Sequence, residues 1–156
     1  MSLISFIKNA GEKLFGNKDD SETDVDPTAA NETASAAILT YINTQNLRAT
    51  GLNVRFDGAT STATVTGIAD DQATKEKILL FAGNVNGVSH VHDNMTVTAS
   101  ALASEFYTVK HGDSLSSISK IEYGNANEYM KIFEANQPML SNPDKIYPGQ
   151  VLRIPD

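Results

Sequence analysis

The residues able to do chemistry in this 156-residue chain are few, and their spacing narrows what they could do. Gly112-Asp113-Ser114-Leu115 matches a serine-esterase signature, and His111 stands beside it. A serine nucleophile needs a sharp turn, an oxyanion hole and an oriented histidine base on a large α/β scaffold. The residues around the tetrapeptide cannot supply that scaffold, so the chain reads as a binder and not an enzyme. His90 and His92 are two apart, share one face of a strand, and could ligate a metal. No third ligand accompanies them, which favours plain surface histidines. Asp19, Asp20, Glu22, Asp24, Asp26 and Glu32 follow one another with no basic residue between them. A calcium loop needs Gly at its sixth position and Glu at its twelfth. Counted from Asp19 the sixth position is Asp24, and from Asp24 it is Ala29, so the calcium loop is rejected.

Composition removes further classes. The net charge is −7, with −5 of it in residues 1–100 and −2 in residues 101–156. Phosphate backbones are bound by clustered Lys and Arg, so nucleic acid is not an expected partner. Cysteine is absent, which excludes disulfide scaffolds, thiolate zinc sites and cysteine nucleophiles. No redox or organic cofactor is expected. The opening MSLISFIKNAGEKLF has no base before its apolar residues, and Lys8 and Asn9 interrupt them, unlike a secretory signal. No stretch reaches the roughly 18 apolar residues of a membrane span. A cytoplasmic monomer without an integral membrane segment is the expectation.

Periodicity of the apolar residues outlines the secondary structure along the chain. Leu3, Ile4, Ile7, Ala10, Leu14 and Phe15 lie near helical spacing, which predicts an amphipathic helix within residues 1–16. Residues 17–33 read as an acidic linker. Ala37, Ile38, Tyr41 and Ile42 predict a helix over 34–46. Leu52, Val54 and Phe56 alternate as a strand, Asp57-Gly58 turns, and Ala63 and Val65 alternate in a second strand. A helix over 69–82 should stop at Gly83, before a third strand through Val88, Val91, Met95 and Val97. After a connector at 99–105, the order strand, helix from Leu115, helix over 126–136 and strand at Val151–Ile154 fills residues 106–156. The fold class is α+β: an αββαβ unit over 34–98, with helices on a three-stranded sheet, followed by a βααβ module.

Tyr107, Val109, Gly112-Asp113-Ser114-Leu115, Ile118, Tyr123-Gly124, Ile132, Asn136 and the run Ile146-Tyr147-Pro148-Gly149-Gln150-Val151-Leu152-Arg153-Ile154-Pro155 resemble the LysM family. That family folds as βααβ, in agreement with the pattern just read. Ala63-Thr64-Val65-Thr66-Gly67 and Gly87-Val88 before Val91, within the αββαβ order, resemble a BON domain. The opening segment, the BON unit and the terminal LysM together are similar to a family of small cytoplasmic potassium-binding proteins of Gram-negative bacteria. Phe6–Leu14, Gly124–Asn127, Lys131–Asn136 and Pro143–Gly149 carry that likeness, and the acidic stretch near 19–32 departs from it.

The resemblance implies potassium as the ligand. Potassium is large and weakly hydrated, and neutral backbone carbonyls can replace its water shell. Helix C-termini and glycine loops leave carbonyls without internal partners. Two segments qualify, Ile7–Gly11 and Gly83–Val88. The resemblance suggests the carbonyls of Ile7, Ala10, Gly83, Val85 and Val88, although the same residues could equally be core and an ordinary helix-to-strand loop. In a sensor of this kind, the ion would tie the opening segment to the BON unit and alter its packing on LysM, with room for an unidentified protein partner. The LysM likeness implies an alternative function, N-acetylglucosamine-glycan binding between two loops at Gly112, Asp113, Ser114, Leu115, Ile146, Tyr147, Pro148 and Gly149. Peptidoglycan becomes a partner only if the protein is exported.

Overall fold

The computed structural model describes residues 2–6, 11, 27–101 and 103–156. In the first unit, α1 (Pro27–Asn43) precedes the strands β2 (Ala49–Asp57) and β3 (Thr62–Asp71), α2 (Gln72–Gly83) and β4 (His90–Ala99). The strand β1 (Ser2–Ser5) joins them, and the sheet order is β1-β4-β3-β2. β2 and β3 form an antiparallel hairpin, whereas β3 and β4 run parallel and need α2 as their crossover. Alternation then sorts the side chains: Ala63, Val65 and Val91 are fully buried beneath the helices, with Val54, Phe56 and Met95 also in this core. Ala34, Ile38 and Ile42, one helical turn apart, bury the matching face of α1.

The start of the chain departs from the helix predicted there. Ser2–Ser5 is a strand, antiparallel to β4 with Ile4 opposite Val91, and Phe6 extends the pairing by donating its amide to the Ser89 carbonyl at 2.7 Å. The outer edge of β4 offers unpaired backbone groups, and pairing them outweighs the weak helical spacing of a short segment. The sheet therefore has four strands and not three. The remainder of the predicted helix, residues 7–10 and 12–16, lies outside the described residues, as does most of the acidic stretch.

The first helix also starts earlier than predicted, at Pro27 and not residue 34. Proline suits the first helical position because its missing N–H would be unpaired there anyway, and Ala29, Ala30 and Glu32 continue the helix well. Asn31 of this early part and Ser35 just beyond it meet the end of β2. The Ser35 hydroxyl accepts the Phe56 amide at 2.7 Å, and the Asn31 side-chain oxygen accepts the Gly58 amide at 3.0 Å.

The second unit pairs β5 (Glu105–Thr108) with β6 (Val151–Ile154) and packs α3 (Leu115–Tyr123), a 3-10 turn at Ala126–Glu128 and α4 (Tyr129–Ala135) on them. Its core holds Val109, Leu115, Ile118, Ile132, Phe133, Leu140, Leu152 and Ile154. Val151 instead belongs to the first unit's core, with Phe106 and Met139 packed beside it. The two units thus share apolar contacts. Among the described residues no helix is long and apolar enough to cross a membrane.

The end of α2 is a close-packed point. A Cβ on Gly83 would lie 1.9 Å from Phe6 Cζ, so the ring occupies the space a side chain would need. Gly83→Ala must push Phe6 away from the sheet edge, and overpacking of this kind costs about 1–3 kcal/mol. Urea denaturation should show a lower midpoint with an unchanged slope.

Candidate functional site

The end of α2 and the loop that leads into β4 hold three of the predicted ion ligands, Gly83, Val85 and Val88. Gly83 ends α2, and Asn84 caps it by donating its amide to the Leu80 carbonyl at 2.9 Å. Gly83, Val85 and Val88 are all buried. The Val88 amide donates to the Val85 carbonyl at 3.1 Å, which closes a turn across Asn86 and Gly87. That bond uses one lone pair of the Val85 oxygen, and Val85 also forms an isolated β-bridge. Among the described residues no backbone amide donates to the Gly83 or Val88 carbonyl outside regular helix and strand bonding.

Ile7 and Ala10, the other two predicted ligands, lie outside the described residues. The residues on either side of the stretch 7–10 are described, and both meet the loop. Phe6 packs on Gly83, and Gly11, with a φ of +106°, lies so close to the Asn84 carbonyl that a Cβ there would sit 1.9 Å from its oxygen. Only glycine tolerates both that dihedral and that approach.

The same loop reaches the second unit through a side chain. Asn84 accepts the Val151 amide at 2.8 Å and donates its side-chain N–H to the Val151 carbonyl at 2.8 Å. In antiparallel pairing alternate residues turn their backbone groups away from the partner strand. Val151 and Arg153 are the two of β6 that do so. Asn136 treats Arg153 likewise, accepting its amide at 2.7 Å and donating to its carbonyl at 2.8 Å. The outer edge of β6 is therefore completed by two asparagine side chains, one from each unit.

A buried ion pair lies beside this seam. Glu76, 2 % exposed, accepts from Arg153 Nε at 2.7 Å, from the Ser104 amide at 2.8 Å and from the Gln72 side chain at 3.3 Å. Asn84, Glu76 and Arg153 were not among the predicted functional residues. Glu76 did leave a signal: it occupies a place on the apolar helical stripe with Leu79, Leu80 and Gly83, where a carboxylate needs a partner. The asparagine left none, because nothing local says which strand it will meet.

In the second unit the residues predicted for glycan binding divide between two loops. Gly112, Asp113, Ser114 and Leu115 lead from β5 into α3, and Ile146, Tyr147, Pro148 and Gly149 lead into β6. The Gly149 amide donates to the Val109 carbonyl at 2.8 Å, which ties the second loop to the strand that feeds the first. Ser114 is the N-cap of α3: its hydroxyl accepts the Ser117 amide, and Ser117 accepts the Ser114 amide in return. His111 is exposed, and among the described residues it makes no hydrogen bond to Ser114. Ser114 therefore forms a capping box with Ser117, which accounts for the serine without a nucleophile. His90 and His92 line a cleft with Arg55, Thr62 and Thr64 of the sheet and Asn31 and Glu32 of α1, and among the described residues no group of three or more His, Asp or Glu could hold a metal.

Comparison with known proteins adds four findings. The family model of the BON domain matches residues 30–99, and that of the LysM domain matches residues 107–155. Over 166 aligned positions the chain is 46% identical to the potassium binding protein Kbp of Escherichia coli O6:H1, covering 100% of this chain and 99% of that one. A stretch of 49 residues, 31% of this chain, is 59% identical to an uncharacterized protein of Deinococcus radiodurans, of which it covers 19%.

Asp113 gives the site its clearest titration signature. Its carboxylate accepts the Lys110 amide at 2.9 Å and the Tyr107 hydroxyl at 2.7 Å, and these bonds hold its pKa below the ordinary 3.8. The bond to that carboxylate, with some burial, pushes the Tyr107 phenol up to about 12 from 10.0. A raised phenol adds stability that is complete below pH 10 and is lost as pH climbs through about 12. The depressed carboxyl adds stability present above its ordinary value and lost as pH falls through its lowered one. Asp113→Asn should return the Tyr107 transition toward 10.0, read as tyrosinate absorbance in an alkaline titration.

Proposed function

Because the chain belongs to the family of the potassium binding protein Kbp, we propose that it binds potassium through main-chain carbonyls of the opening segment and the Gly83–Val88 loop. The proposed ligands are the carbonyl oxygens of Ile7, Ala10, Gly83, Val85 and Val88. The observation that carries this reading is the pair of contacts on either side of residues 7–10. Phe6 against Gly83 and Gly11 against Asn84 hold both ends of that stretch at the loop. Neutral carbonyls suit a weakly hydrated monovalent ion, whereas a divalent site would call for carboxylates.

The proposal extends to what binding does. Asn84 lies inside the loop and bonds β6 directly, so an ion that orders the loop also orders the contact with LysM. A ligand that binds only the ordered state stabilises it, by about 2.7 kcal/mol when present at a hundred times its dissociation constant. In this reading the protein is a cytoplasmic potassium sensor, and domain packing is its output. Glycan binding is a second reading, favoured by the bond that brings the two LysM loops together. Retention on chitin oligomers would distinguish it.

Melting temperature should rise with KCl more than with equal NaCl. In an NMR titration the amides of Gly83, Val85 and Val88 should shift together with Val151. Equal salt effects would remove selectivity for potassium, and a response confined to residues 106–155 would refute the carbonyl site.

A further inference from the structure

Of the thirteen asparagines in the chain, only Asn86 is followed by glycine. The Asn86–Gly87 pair holds the two central positions of the turn closed by Val88 and Val85, and both residues are half-buried. Gly87 has a φ of +105°, the positive value that the third position of a type II turn requires. Its amide makes no backbone hydrogen bond among the described residues, and it has no side chain to shield its nitrogen.

We propose that Asn86 is a site of spontaneous deamidation, and that its product rearranges the Gly83–Val88 loop. The Gly87 nitrogen gives its proton to hydroxide and attacks Asn86 Cγ. The new N–C bond closes a five-membered succinimide, the Cγ–Nδ2 bond breaks, and ammonia leaves with a proton taken from water. One water then adds to either imide carbonyl. Opening on one side gives aspartate, and on the other it gives isoaspartate, whose main chain runs through the former side chain. The sum is one water consumed and one ammonia released, with no oxidant or reductant.

Either product places a carboxylate between Val85 and Val88. Isoaspartate also inserts a methylene into a turn whose closing bond spans four residues, so the Val85 and Val88 carbonyls must reorient. An effect on ion binding rests on the potassium reading above, whereas the modification itself does not. A charged loop is no longer a cage of neutral oxygens, so the altered protein should respond less to potassium.

The test ages the full-length protein in mildly alkaline buffer, with KCl or with NaCl, and maps its peptides by mass spectrometry with isoaspartate detection. Asn86→Gln, whose longer side chain would have to close a less favourable six-membered ring, is aged in parallel. The expected result is conversion at Asn86 ahead of every other asparagine, faster as pH rises and slower in KCl. The Val85 and Val88 amide resonances should shift as conversion proceeds. Aged wild type should lose its potassium-dependent gain in melting temperature, while aged Asn86→Gln keeps whatever gain it had when fresh. An intact Asn86 after other asparagines have converted would overturn the proposal, as would conversion that leaves the Val85 and Val88 amides unmoved. If fresh wild type shows no potassium response, the ion reading fails, and the peptide map and amide shifts still decide the modification.

Discussion

The outer edge of β6 must be satisfied, and most of the architecture follows from how that is done. β6 has β5 on one side only, so the backbone groups of Val151 and Arg153 turn away from their partner strand into buried or half-buried surroundings. A buried amide or carbonyl left unpaired costs about 1–3 kcal/mol. A third strand would satisfy them but would need several more residues in an already small module. Two asparagine side chains do it instead, since a primary amide presents a donor and an acceptor side by side, as a neighbouring strand residue does. Asn136 comes from the module itself, but Asn84 comes from the other domain. The LysM unit therefore has an edge completed only when BON is docked.

The Glu76–Arg153 pair reinforces the same arrangement. Removing two charges from water is costly, and their attraction repays this only when the remaining hydrogen-bonding capacity is met. Here the carboxylate also receives the Ser104 amide, from the connector between the units, and the Gln72 side chain. Arg153 is at once the ion-pair partner of BON and the strand residue held by Asn136. Pulling the domains apart would strip partners from Glu76 and expose Val151, Phe106 and Met139 from a shared apolar cluster. Docking is thus defined by directional bonds as well as by area.

The residue types of that loop also follow from crowding. Gly83 admits the Phe6 ring, and Gly11 admits the Asn84 carbonyl. Each glycine marks a place where the opening segment approaches the BON backbone more closely than any side chain would allow.

Much of this protein was legible in its amino-acid order. Alternation in Ala63–Val65 and helical stripes in Ala37–Ile42 and Tyr129–Phe133 are local patterns, because side chains repeat every two or 3.6 residues whatever they later meet. Gly112–Leu115 and Ile146–Pro155 declared the LysM module in the same way, through caps and turns that depend on near neighbours. The tertiary structure decided the rest. It turned Ser2–Ser5 into a strand, since a helical spacing of a few residues cannot outweigh the open edge of β4, which belongs to a segment almost 90 residues away. It also chose Asn84 and Glu76 as the ties between domains, because hydrogen bonds and ion pairs spanning 67 and 77 positions leave no periodicity along the chain. Local sequence specified most of the elements, and only the packed fold could specify the first strand and which edges and charges complete one another.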